Sequence, residues 1–151
     1  MKRIAAIVAI AAVAGYWYYQ TSHAPVNAYK VFAEEILHRR YDKAAAMTDG
    51  LTAAQLAQSG TQEKIGAGPA MFQTLFPSRF TIESQERGSD GTTTIKATQQ
   101  VLFNPPGVES VMRPAMMALM KQTVALRKKD GAWKVVSFEN TFGNMETMSA
   151  R

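Results

Sequence analysis

An N-terminal membrane helix followed by an α+β domain, with helices packed on a curved antiparallel sheet, is the fold class this chain predicts. Three observations carry it. A basic start, Lys2-Arg3, leads into an uncharged run from Ile4 to Tyr19. Helical periodicity then holds up to Pro77, and a period of two replaces it afterwards. Helices grouped before strands imply segregated layers rather than a βαβ alternation.

The first element is expected to be a signal anchor over residues 1–22, leaving residues 23–151 as one extracytoplasmic domain. Ile4, Ile7, Val8, Ile10 and Val13 supply hydrocarbon-facing bulk, and Tyr16, Trp17, Tyr18 and Tyr19 stand where aromatic rings with polar tips suit the headgroup layer. Sixteen to nineteen helical residues span roughly 25–29 Å, enough for a nearly upright helix. Gly15 and the alanines at 5, 6, 9, 11, 12 and 14 give the helix a small-residue surface suited to a neighbouring helix. Ala12-Val13-Ala14 also forms a small-x-small cleavage site, so a cleaved export signal is the competing expectation. Cleavage there would leave Gly-Tyr-Trp-Tyr-Tyr-Gln as a soluble N-terminus, which favours retention. Positive charge stays on the cytoplasmic side, so the expected location is the bacterial inner membrane, single-pass, with the C-terminal domain periplasmic.

Tyr29, Phe32, Ala33, Ile36 and Leu37 fall on one face of a helix after Pro25, with Arg39-Arg40 at its C-terminal end. Asp42, Thr52 and Thr61 are the candidate N-caps of three shorter helices, interrupted by Asp49-Gly50, Gly60 and Gly66. A further helical piece is expected over 70–76. Arg79–Arg87 reads as a strand, joined through Gly88-Ser89-Asp90-Gly91 to a long strand. On that strand Thr93, Ile95, Ala97, Gln99, Val101 and Phe103 share one face. Met120, Val124 and Leu126 share a face of the next strand, with Gln122 interposed. Asp130-Gly131 turns it into a last strand over Ala132–Glu139.

The chain has 151 residues, 46% hydrophobic and 19% charged, which suffices for one domain with a core. Its net charge is +5, but Lys2 and Arg3 precede the apolar run, so the domain carries 15 basic and 12 acidic residues. Scattered as they are, apart from Arg39-Arg40 and Arg127-Lys128-Lys129, these argue against a nucleic-acid partner. The absence of cysteine excludes disulfides, thiolate metal sites, cysteine nucleophiles and lipidation of an N-terminal cysteine.

The helical first half with "RRYDKAAAMT" and the closing "TVALRKKDGAWKVVSFEN" resemble the nuclear-transport-factor-2-like superfamily over about residues 25–142. The resemblance implies a helical layer and a bent sheet forming a cone with a pocket. Its final hairpin corresponds here to Lys128, Lys129, Asp130, Gly131, Trp133, Lys134 and Val135. The superfamily includes isomerases, dehydratases, secretion-system subunits and non-enzymatic modules, so it leaves function open.

His23 and His38 are the two histidines, too far apart to share a metal from one helix turn, and no cofactor is expected. Serine–histidine catalysis lacks a nucleophile elbow. An isomerase-like site would need a carboxylate base and proton donors in an apolar cone. Tyr29 is the candidate donor in the pocket; Glu83, the nearest acid, alternates with Phe80 and Ile82 and is expected to face solvent. "VMRPAMMALM" is the least ordinary stretch. Met112, Met116, Met117, Leu119 and Met120 are candidate contacts for a partner or ligand, because flexible, polarisable methionine suits adaptable surfaces. Met116 and Met120 would face one way, Met117 and Leu119 the other. The expected role is that of a non-catalytic accessory or scaffolding subunit, whose partners are the bilayer and other membrane protein subunits. The alternative is an exported pocket protein that binds a small apolar ligand or lipid.

Overall fold

The structure is a computed structural model that describes residues 24–66, 73–74, 77–104 and 116–147, with backbone alone at 73, 74, 104 and 147. The anchor residues Ile4, Ile7, Val8, Ile10, Val13, Tyr16, Trp17, Tyr18 and Tyr19 lie outside the described residues, as do His23 and Met112. No helix among the described residues is long and apolar enough to cross a membrane.

The domain is α+β, with its helices grouped ahead of its sheet. Helix α1 is described over residues 24–37. Tyr29, Phe32, Ala33, Ile36 and Leu37 are all fully buried along one face. Burying each of the large side chains contributes about 1.5–3 kcal/mol, so packing rather than propensity holds this helix. It ends in a Schellman turn: Arg40 N–H donates to Glu35 C=O at 2.9 Å and Arg39 N–H to Ile36 C=O at 3.1 Å. Arg39 takes the left-handed conformation there, at φ 58°. Helix α2 (Tyr41–Ala46) follows at once, with Arg40 at its N-cap position and no side-chain cap. Asp42 is therefore not the cap expected from the sequence. The tight reversal at Arg39-Arg40 starts α2 two residues earlier and leaves Asp42 inside the first turn.

Helix α3 (Ala53–Gln58) has the expected cap. Thr52 and Gln55 form a reciprocal capping box. Helix α4 (Thr61–Ile65) is capped by Gly60, not by Thr61, which is its first residue and fully buried. A Cβ at position 60 would collide with the Glu63 carboxylate and the Tyr41 hydroxyl. The helical piece expected over 70–76 is corrected at Gln73 and Thr74, which pair as strand β1; the other residues of that span lie outside the described ones.

The sheet is antiparallel throughout. β1 (Gln73–Thr74) and β2 (Arg79–Arg87) lie end to end along one edge of β3 (Thr93–Asn104), and β4 (Met116–Lys129) and β5 (Ala132–Thr147) continue from its other edge. The last strand runs well past the expected end at Glu139. Two bulges, which leave Val136 and Gly143 unmatched against β4, let its pairing continue to Thr147 opposite Met116. A third irregularity falls at Glu83 in β2. Each bulge adds local bend and twist to a long strand. The β4–β5 turn is the two-residue kind with positive φ at both Asp130 (51°) and Gly131 (81°). Its twist matches that of the strands it joins, and glycine occupies the second position without steric cost.

One face of the sheet packs on the helices. Thr93, Ile95, Ala97, Gln99, Val101 and Phe103 of β3 are all buried, as are Ala118, Met120, Gln122, Val124 and Leu126 of β4. The main core joins Tyr29, Phe32 and Ile36 to Ile95, Val124, Leu126 and Val135, with Trp133 and Phe138 packed against it. A smaller cluster gathers Leu37, Val101, Phe103 and Ala118, flanked by Ile65 and Met116. Segment 47–49 closes on the edge of β5 near the turn, where Val135 N–H donates to Met47 C=O and Asp49 N–H to Val135 C=O.

Candidate functional site

Polar residues interrupt the apolar face at Gln99, Gln122 and Asn140, all at inward positions and nearly inaccessible. The register brings them together. Asn140 lies directly opposite Gln122, and Gln99 lies opposite Met120, diagonal to Gln122. Gln122 is the hub. Its Oε1 accepts from the Tyr29 hydroxyl at 2.5 Å, and its Nε2 donates to Gln99 Oε1 at 2.8 Å and Asn140 Oδ1 at 3.1 Å. Gln99 Nε2 donates to Ser78 Oγ at 2.9 Å. Asn140 Nδ2 donates to Ser59 C=O at 2.9 Å and to Thr61 Oγ1 at 3.1 Å. The network thus ties α1, β3, β4, β5 and the start of α4 at one level of the core.

Tyr29 is inward as expected, and its hydroxyl is used within the core rather than at a rim. Burial, and then the negative charge of Glu83, push its pKa well above the usual tyrosine value. Such a hydroxyl keeps its proton and acts as a hydrogen-bond donor. Glu83 is exposed, as expected, and accepts from Thr98 Oγ1 at 2.6 Å. The Tyr29 hydroxyl and the Glu83 carboxylate are each bound to a different neighbour. Gln62, on α4, donates from Nε2 to the Leu37 carbonyl at 2.7 Å, but its buried Oε1 has no hydrogen-bond partner among the described residues.

The methionine-rich strand start divides as its alternation predicts. Met120 is fully buried and Met116 partly so, on the helix-facing side; Met117 and Leu119 are partly buried on the opposite face. Phe142, opposite Met120, and Met145, opposite Ala118, add to the helix-facing side at this end of the sheet, and are 42% and 36% exposed. An apolar rim therefore lies beside the smaller core cluster. The sequence reading had missed Phe142 and Met145, because β5 was expected to end at Glu139.

His38 lies 3.5 Å from Glu34, four residues earlier on the same helix. Among the described residues no group of three or more His, Cys, Asp or Glu side chains could hold a metal ion. Near the β4–β5 turn, Asp49 receives Lys129 Nζ at 2.7 Å and Arg127 at 3.1 Å. These two cations hold its carboxyl below the usual aspartate range, Lys129 having the larger effect. Compared with models of known protein families and with curated proteins, the chain matches none.

Proposed function

We propose that this chain is a non-catalytic, membrane-tethered accessory subunit, whose cone-like domain of nuclear-transport-factor-2-like type stands on the periplasmic side of the bacterial inner membrane and holds a partner subunit through the apolar rim. The observation that carries the reading is the pairing of a sealed polar interior with exposed apolar residues. Gln122 uses its amide wholly on Tyr29, Gln99 and Asn140, an arrangement that locks elements together and commits the Tyr29 hydroxyl to Gln122, while Glu83, whose charge reaches Tyr29, is exposed and bound to Thr98. Phe142 and Met145, by contrast, remain open next to Met116. Apolar and methionine-bearing surfaces of this kind suit an adaptable protein contact. Tethering by residues 4–19 would raise the effective concentration of the domain near a partner in the same membrane, so a modest contact suffices.

The test is the size of the chain's complex after mild-detergent extraction of native membranes. The wild type is expected in a species much larger than the monomer, and Phe142→Glu/Met145→Glu as the monomer. A wild-type monomer, or a complex indifferent to both changes, would overturn the reading.

The unpartnered Gln62 Oε1 favours a second reading. A small, largely apolar ligand with one hydrogen-bond donor would complete it beside Leu37 and Phe103. Native mass spectrometry of the detergent-released chain would show such a ligand as a fixed added mass, which Gln62→Leu would remove.

A further inference from the structure

We propose that the β4–β5 turn docks on anionic headgroups of the membrane that holds the chain, so that the apolar rim points away from the bilayer. This rests on the anchored reading above. The orientation comes from how α1 lies on the sheet. Leu37 clusters with Ala118, and Tyr29 bonds Gln122. Eight helical residues cover about 12 Å and four strand residues about 13 Å, so α1 and β4 run alongside each other in opposite directions. Following α1 toward its N-terminal end therefore leads along β4 toward the turn. From Gln122 to Lys128 is about 20 Å of strand, whereas from Tyr29 to residue 24 is about 8 Å of helix. The turn thus reaches past residue 24 by about 10 Å, beyond the N-terminal end of α1. Only residues 20–23 separate Tyr19 from residue 24, a reach of at most about 18 Å. The turn end of the domain is the end that faces the bilayer.

Its chemistry fits that position. Arg127, Lys128, Lys129 and Lys134 cluster around one two-residue turn. Asp49 neutralises part of this charge through Arg127 and Lys129, Asp130 within the turn itself offsets a further part, and Lys134 donates to the Ala46 carbonyl. Lys128 is exposed and has no partner among the described residues. In the neighbouring β2–β3 turn, which follows Glu86 and Arg87 at the end of β2, the Asp90 carboxylate is occupied by the Thr92 N–H and hydroxyl. Trp133, cross-strand from Lys128, is partly buried and braces the turn against the core. Phe142 and Met145 pair with β4 at Met120 and Ala118, toward the opposite end of the strand.

The absence of cysteine makes the test clean. Full-length Ala132→Cys and Asn144→Cys chains are spin-labelled and reconstituted in phosphatidylcholine vesicles with and without about 30% phosphatidylglycerol, an anionic surface that attracts basic segments. In the anionic vesicles the label at 132 is expected to lose access to a water-soluble relaxation agent, while the label at 144 keeps it. Salt at about 1 M, where the Debye length is near 3 Å, should restore access. Lys128→Ala should reduce the docked-to-undocked ratio about fivefold. Equal access at 132 and 144 in chains that float with the vesicles would overturn the docking and leave the anchor standing. Protection at 132 in purely zwitterionic vesicles would overturn the role of the basic turn. Chains that do not float with vesicles at all would overturn the anchor and the docking together.

Discussion

Gln122 stands between Met120 and Val124 on a buried strand face, where a hydrocarbon side chain would pack with no desolvation cost. Its amide is tolerated because every partner is in place. Gln122→Leu is therefore expected to destabilise by about 2–4 kcal/mol, since it strands the Tyr29 hydroxyl and leaves Gln99 Oε1 and Asn140 Oδ1 without their donor. Tyr29→Phe removes one donor and should cost about 1–2 kcal/mol. Chemical denaturation checks both. A double variant less damaging than the sum of its parts would show that the two residues act through one bond. The inward placing of Tyr29, Gln99 and Gln122 was legible from the period-two and helical patterns, because each side chain's face follows from counting along one element. Their partnership was not legible. It depends on register between strands and on Asn140, whose face cannot be counted from Trp133 because the bulge at Val136 shifts the phase of β5.

At the level of elements, local signals and tertiary closure contribute separately. The Thr52–Gln55 capping box was readable from residue types alone, and Thr52→Ala should cost about 1 kcal/mol by thermal melt. The Asp130-Gly131 turn was readable for the same reason. Gly131→Ala forces a Cβ into positive φ and should cost about 1–2 kcal/mol. Asp49 was not readable as a clamp, because Arg127 and Lys129 meet it from the far end of the chain. Its carboxyl is held below the usual value, so its contribution is complete at neutral pH and is lost as pH falls through the folded pKa, below about 4. Asp49→Asn should thus lower stability at pH 7, and the gap to wild type should narrow in denaturation experiments as the pH is taken below the usual aspartate range. The length of β5 was underestimated from the sequence. Polar and glycine residues past Glu139 look like a strand end, yet the bulge at Gly143 keeps the pairing going.

For the whole molecule, the grouping of helices before an antiparallel sheet was legible because the change of period at Pro77 separates the two layers in the sequence. The apolar rim was half legible. Met116 announced it, while Phe142 and Met145 arrive from a strand extension. Since Phe142 and Met145 are exposed, Phe142→Glu/Met145→Glu should leave stability within about 0.5 kcal/mol per substitution while abolishing the larger complex, a separation that a folding defect would not produce. Everything in this proposal depends on the chain staying in the membrane. The most direct measurement is the intact mass of the chain recovered from alkali-washed native membranes. The anchored reading predicts a full-length species of 16.6 kDa in the membrane pellet. A shorter chain beginning near Gly15, recovered in the soluble fraction, would contradict it.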